Sequence, residues 1–109
     1  MNIPPFPFSV TDWNKIAAEE HQGETGIASW KVQHFGAIRV RMVTYSPGYF
    51  ADHWCVKGHI ILCLSGSMIT ELKDGRKFEL TEGMTYQVGD DSEAHRSMTT
   101  GGVSLFIVD

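Results

Sequence analysis

The chain has 109 residues, 42% of them hydrophobic and 20% charged, which is enough to bury the core of one globular domain without crosslinks or metal. Its 9 basic and 13 acidic residues give a formal charge of -4, and the basic ones are scattered, so the composition argues against nucleic acid as a partner. No apolar run reaches the roughly 18 residues of a membrane span, and the opening MNIPPFPFSV lacks the basic-then-apolar order of an export signal, so a soluble, cytoplasmic chain with no membrane partner is expected.

The run Pro4-Pro5-Phe6-Pro7 cannot form helix or a central strand, because proline has no amide donor and biases its predecessor towards extended backbone. Thr11 or Asp12 can cap a short helix that carries Trp13, Ile16 and Ala17 at i, i+3 and i+4 and ends before Gly23. Residues 1–27 are therefore expected to be an arm with a short helix, and residues 28–109 a β-barrel, the two together making one domain. His21 and His34 read as solvated surface groups.

From Ala28 the hydrophobic period changes to two, with glycine or proline punctuation every eight to twelve residues or so, the rhythm of a sandwich or barrel. Strands are predicted over 29–35, 38–45, 50–55, 59–64, 67–72, 76–80, 84–88, 95–99 and 103–108, so the fold class is all-β. Turn chemistry separates most of them, at Ser46-Pro47-Gly48, Ser65-Gly66, Asp74-Gly75, Glu82-Gly83 and Gly101-Gly102. In the second strand Arg39 and Arg41 share one face and Ile38, Val40 and Met42 the other; the arginines read as an exposed basic face rather than an anion clamp. Tyr45, Tyr49, Tyr86 and Arg96 either line a barrel mouth or are ordinary packing, and Trp54 fills core or a subunit interface.

The stretch ADHWCVKGH concentrates chemistry: His53, Cys55 and His59 lie within seven positions. Residues two apart in a strand share a face, which joins His53 to Cys55, and Val56-Lys57-Gly58 has the form of a three-residue hairpin loop that sets Cys55 across from His59. Cross-strand Cβ atoms lie roughly 5 Å apart, within reach of one ion held by thiolate and imidazole. The same register puts Cys63 about 13 Å further along the strand, beyond the roughly 7 Å that a disulfide spans, so both cysteines are expected to stay free, with Cys63 a small core residue. The cluster is either a metal site or a set of hydrogen-bonded hairpin residues.

Gly48, His53, Cys55, His59 and Gly66 resemble the first cupin motif, with Cys55 in the place of its second histidine and His59 in that of its glutamate. Gly83 and His95, in GMTYQVGDDSEAHRS, resemble the second, although its usual proline is missing and its histidine comes one residue late. Asp52-His53-Trp54-Cys55 is similar to the signature of a small cupin group marked by an Asp-His-Cys-Trp motif. The resemblance implies a double-sheet jelly-roll barrel and one metal ion ringed by His53, Cys55, His59 and His95. A thiolate and imidazoles suit zinc, copper, nickel or iron better than magnesium or calcium. It implies action on, or binding of, a small-molecule ligand or substrate inside the barrel, with a metal-free binding or sensing module as the alternative and no reaction identified. The edge strands and the arm further suggest a homodimer.

Overall fold

Alternating side chains build eight strands in the computed structural model, which describes residues 3–109. They are β1 (Glu19–Gln22), β2 (Ile27–Phe35), β3 (Ile38–Tyr45), β4 (His59–Leu72), β5 (Lys77–Thr81), β6 (Thr85–Val88), β7 (His95–Met98) and β8 (Val103–Val108). All pairings are antiparallel: β1, β2, β3, β8 and the first half of β4 follow one another, with β6 beyond, while the second half of β4 pairs with β5 and β7. Two sheets thus share one long strand, which bends where its pairing with β8 slips between Cys63 and Ser65. Gly66 makes the bend possible, because at φ 77 a Cβ there would lie 2.3 Å from the Gly102 carbonyl oxygen. Among the described residues no helix is long and apolar enough to cross a membrane.

Between the sheets the inward residues change character along the barrel. Val43, Ile61, Met68, Leu105 and Ile107 pack with Cys63 into an apolar plug, each side chain contributing roughly 1.5–3 kcal/mol by burial. Towards the start of β4 and the end of β8 the inward positions turn polar, and Arg41, His59, His95 and Ser97 are buried there. The plug forms the core, and the polar end gathers the buried titratable side chains.

Five expectations are corrected. The N-terminal helix is only a 3-10 turn, Trp13–Lys15: Asp12 caps it, accepting from the Asn14 amide at 3.1 Å, but Ile16 is already extended. A helix this short cannot offset its nucleation cost, whereas β1 gains ladder bonds to β2 and stacks His21 on Trp30, with centroids 3.9 Å apart. The sheet accordingly begins at Glu19, ahead of Ala28, and His21 is half-buried. The predicted strands 59–64 and 67–72 are one strand, because Ser65-Gly66 stays paired with β8 instead of turning, and the slip at Leu64 is a bulge.

The predicted strand 50–55 and its hairpin are absent: Phe50 and Cys55 make isolated bridges to Met98 and His95. Gly58 instead packs against Gly89-Asp90, its amide donating to Asp90 Oδ1 at 2.7 Å, so the loop leans on a distant turn and His59 pairs with Val88. Finally, β3 is turned over relative to the expectation. Arg41 faces inward with 5% exposure, while Val40 and Met42 face out. An anion, Asp109, awaits the arginines inside.

Candidate metal centre

Cys55 enters the polar end of the barrel from the irregular segment after β3, His59 from the first residue of β4 and His95 from the first residue of β7. One potential ligand atom from each lies within 4.8 Å of the other two. The Cys55–His95 bridge sets the third residue: Cys55 N donates to His95 O at 2.7 Å and His95 N to Cys55 O at 3.0 Å, so the thiol and the imidazole start from paired backbones. His59 and His95 meet edge to face, with ring centroids 5.1 Å apart.

Each imidazole is oriented through its Nδ1. His59 Nδ1 donates to Asp109 Oδ2 at 2.9 Å, and its Nε2 lies 3.4 Å from Cys55 Sγ. His95 Nδ1 donates to the Glu93 carbonyl at 2.9 Å, leaving Nε2 buried with no hydrogen-bond partner. An Nδ1–H fixed in this way puts the lone pair on Nε2, the arrangement that metal-binding histidines adopt. A buried acceptor left unpaired costs free energy unless something binds it. The soft sulfur and two such nitrogens therefore fit a transition metal, with positions left open beyond three protein donors.

Asp109 organises the site from behind. Its carboxylate, with no side-chain exposure, accepts from Arg39 Nε at 2.9 Å and Nη2 at 3.1 Å, from Arg41 Nη2 at 2.8 Å and from His59. Burial alone would raise its pKa, but the His59 and Arg39 hydrogen bonds and the Arg41 charge hold it well below the usual carboxylate range. Burial lowers the Arg41 pKa, whereas His59 is raised because Asp109 and Cys55 outweigh its desolvation. The Cys55 thiol is likewise opposed by burial, yet the His59 and His95 imidazoles beside it bring it down to about 5.

The structure brings together Cys55, His59 and His95 of the expected ligands and leaves His53 outside. The chain bends at Asp52-His53, so strand alternation fails there, and His53 is 76% exposed with Nδ1 donating to Asp52 Oδ1 at 2.7 Å. Asp109 escaped the reading of motifs. A signal existed all the same, since it continues the inward series Val103, Leu105, Ile107 at period two. Beside His95 lies a cavity of about 340 Å³ walled by Thr70, Leu72, Phe78, Leu80 and Tyr86, with the exposed Arg76–Glu93 ion pair at its edge.

Both cysteines are free. In chelator-treated native protein one thiol should react rapidly with a chromogenic disulfide at neutral pH, because Cys55 is half-buried and acidic. Cys63 is 1% exposed, its thiol pushed up by burial, and should react only after denaturation. Two fast thiols, or none in the denatured chain, would contradict this assignment.

No family model matches the chain, and no curated protein is similar to it. Solved structures are. A predicted oxalate decarboxylase from Thermotoga maritima matches with a TM-score of 0.74 at 14% identity, over 92% of this chain and 96% of that one. Ectoine synthase from P. lautus matches at 0.70 and 13% identity, over 93% and 76%. A sugar phosphate isomerase from a cupin superfamily, from Silicibacter pomeroyi, matches at 0.70 and 11% identity, over 92% and 74%. Their activities belong to those proteins, and at such identities the likeness speaks for architecture alone: with two sheets sharing β4 around a polar-ended barrel, this chain has the cupin fold.

Proposed function

We propose that this protein binds one transition-metal ion through Cys55, His59 and His95, and that it binds or transforms a small molecule in the adjoining cavity. The observation that carries this reading is the buried, unpartnered Nε2 of His95, aimed at the same small volume as Cys55 Sγ and His59 Nε2. Zinc, copper, nickel or iron suit the donor set. A bound ion supplies Lewis acidity towards an oxygen or nitrogen of the ligand. The chain's own residues do the rest: Asp109 and the Glu93 carbonyl hold the imidazole protons at Nδ1, and Leu72, Phe78 and Leu80 give the cavity beside His95 an apolar wall. In this reading the Asp52–Cys55 run marks the Asp-His-Cys-Trp group of cupins, with His53 outside the ligand set.

Elemental analysis of untagged protein, purified without added metal and then dialysed against each candidate, tests the proposal. One tightly held ion per chain is expected. A metal-free binding or sensing module is the second reading, favoured by the 3.4 Å Cys55–His59 contact, which satisfies thiol and imidazole without an ion. Failure to retain any of the four metals would leave that reading in place.

A further inference from the structure

We propose that the small molecule taken beside His95 is a monoanion with an apolar body, whose single anionic head reaches the metal and whose far end carries no charge. The head rests on the metal reading given above, because an anionic oxygen is what a bound cation draws most strongly. The body does not depend on it and follows from the cavity wall alone. At about 340 Å³ the cavity is at the small end of the range for ligand sites.

Three strands supply that wall: Leu72 comes from β4, Leu80 from β5 and Val88 from β6. Phe78 and Met84 border the same cavity while 52% and 45% exposed. Phe78 is the cross-strand partner of Thr70 and Leu80 that of Met68, so the inward side of β5 runs from the apolar plug to the open edge. Two large apolar side chains facing water beside a cavity are surface that an apolar ligand covers on binding. Each methylene group buried against them is worth about 4-fold in affinity.

Nothing in the wall stands ready for a second charge. Arg76, the cation at the edge, is already held by two carboxylates: its Nε donates to Asp74 Oδ2 at 2.9 Å and its Nη2 pairs with Glu93. The other charged lining residues, Glu79 and Glu93, are anions, so a carboxylate or phosphate at the far end of a ligand would meet like charge and find no partner. A sugar or polyol needs several free hydrogen-bonding groups, and the hydroxyls here are committed: Thr70 bonds Ser97 at 2.8 Å, and Thr85 bonds Gln87 at 3.3 Å. Polarity instead gathers beside His95, whose Nε2 has no partner and whose ring meets that of Tyr86 edge to face with centroids 6.0 Å apart. One polar end and an apolar remainder define the ligand's chemistry.

Titrations of the full chain followed by backbone amide chemical shifts measure these preferences and locate the binding. With zinc bound, hexanoate should bind at least ~30-fold more tightly than acetate, through its longer apolar body. It should also bind at least ~10-fold more tightly than adipate, which has the same number of carbons and a second carboxylate. Phe78→Lys and Met84→Lys each put a cation at a half-exposed wall position and should bring adipate level with hexanoate or above it, near-ultraviolet circular dichroism reporting that each variant is folded. Chelator-treated protein reads the wall without the metal: hexanol should bind at least ~10-fold more tightly than propanol, and sorbitol should shift nothing. Loss of zinc binding with that alcohol preference intact would count against the metal reading and uphold the apolar body. Hexanoate no tighter than acetate or adipate while zinc stays bound, shifts confined to residues away from the cavity, or folded lysine variants that keep the wild-type preference would overturn the proposal.

Discussion

Replacing Cys55 by serine is expected to remove the intense near-ultraviolet sulfur-to-metal band of the cobalt-substituted protein and to weaken metal binding more than ~100-fold. The magnitude follows because even outer-shell partners of metal ligands cost 10- to 100-fold when lost, and Cys55 supplies a donor atom itself. His95→Ala should weaken binding comparably, since its Nε2 has no other partner. His53→Ala should leave affinity within about two-fold, because the side chain points to solvent and pairs with Asp52. Cys63→Ser should leave the cobalt band in place, as that thiol sits in the apolar plug. A cobalt band that survives Cys55→Ser, or a large loss in His53→Ala, would show that the ligands are not the three that the fold brings together.

The largest effect on stability should come from Asp109→Asn. Removing this charge leaves Arg41, 5% exposed, without its anion, and a buried pair broken on one side costs roughly 3–5 kcal/mol. The lower end is expected, because Arg39 keeps 26% side-chain exposure and can rehydrate. Metal affinity should fall as well, by about 10- to 100-fold, since His59 loses its charged Nδ1 partner. The pH dependence has a definite sign: Asp109 is depressed when folded, so its stabilisation is complete above the unfolded carboxylate pKa near ~4 and is lost as pH falls below that value towards the folded one. In chemical denaturation, wild type should therefore lose this contribution between about pH 4 and lower pH, and Asp109→Asn should lack that part of the acid limb. A loss under ~1 kcal/mol at neutral pH would mean that the arginines are satisfied elsewhere.

Local patterning was sufficient for the all-β class, for most strand positions from β2 onwards and for three of the eventual site residues. These depend on short-range rules: alternation places every second residue of β4 and β8 on one side, and glycine at positive φ marks turns such as Asp74-Gly75 and Glu82-Gly83. Cys55, His59 and His95 stand out by residue type alone. Which of them meet was decided by contacts distant in sequence. The three-residue loop after Cys55 looks like a hairpin in isolation, but Gly58 binds Asp90, so Cys55 pairs with His95, forty residues away, and His53 swings out.

The direction in which β3 faces was decided in the same way. Alternation separates Arg39 and Arg41 from Val40 and Met42, yet it is symmetric and does not say which set is inside; an isolated strand would hide the apolar one. Asp109, at the far end of the chain, reverses the choice by offering both guanidinium groups a carboxylate inside the barrel. Burying two cations is tolerable only with that partner in place, and burying the partner is tolerable only with them. The consequence spans the molecule, since one ion-pair network orients His59 within the site and turns the apolar side of β3 outwards, a result of pairings across 68 and 70 residues that no local window contains.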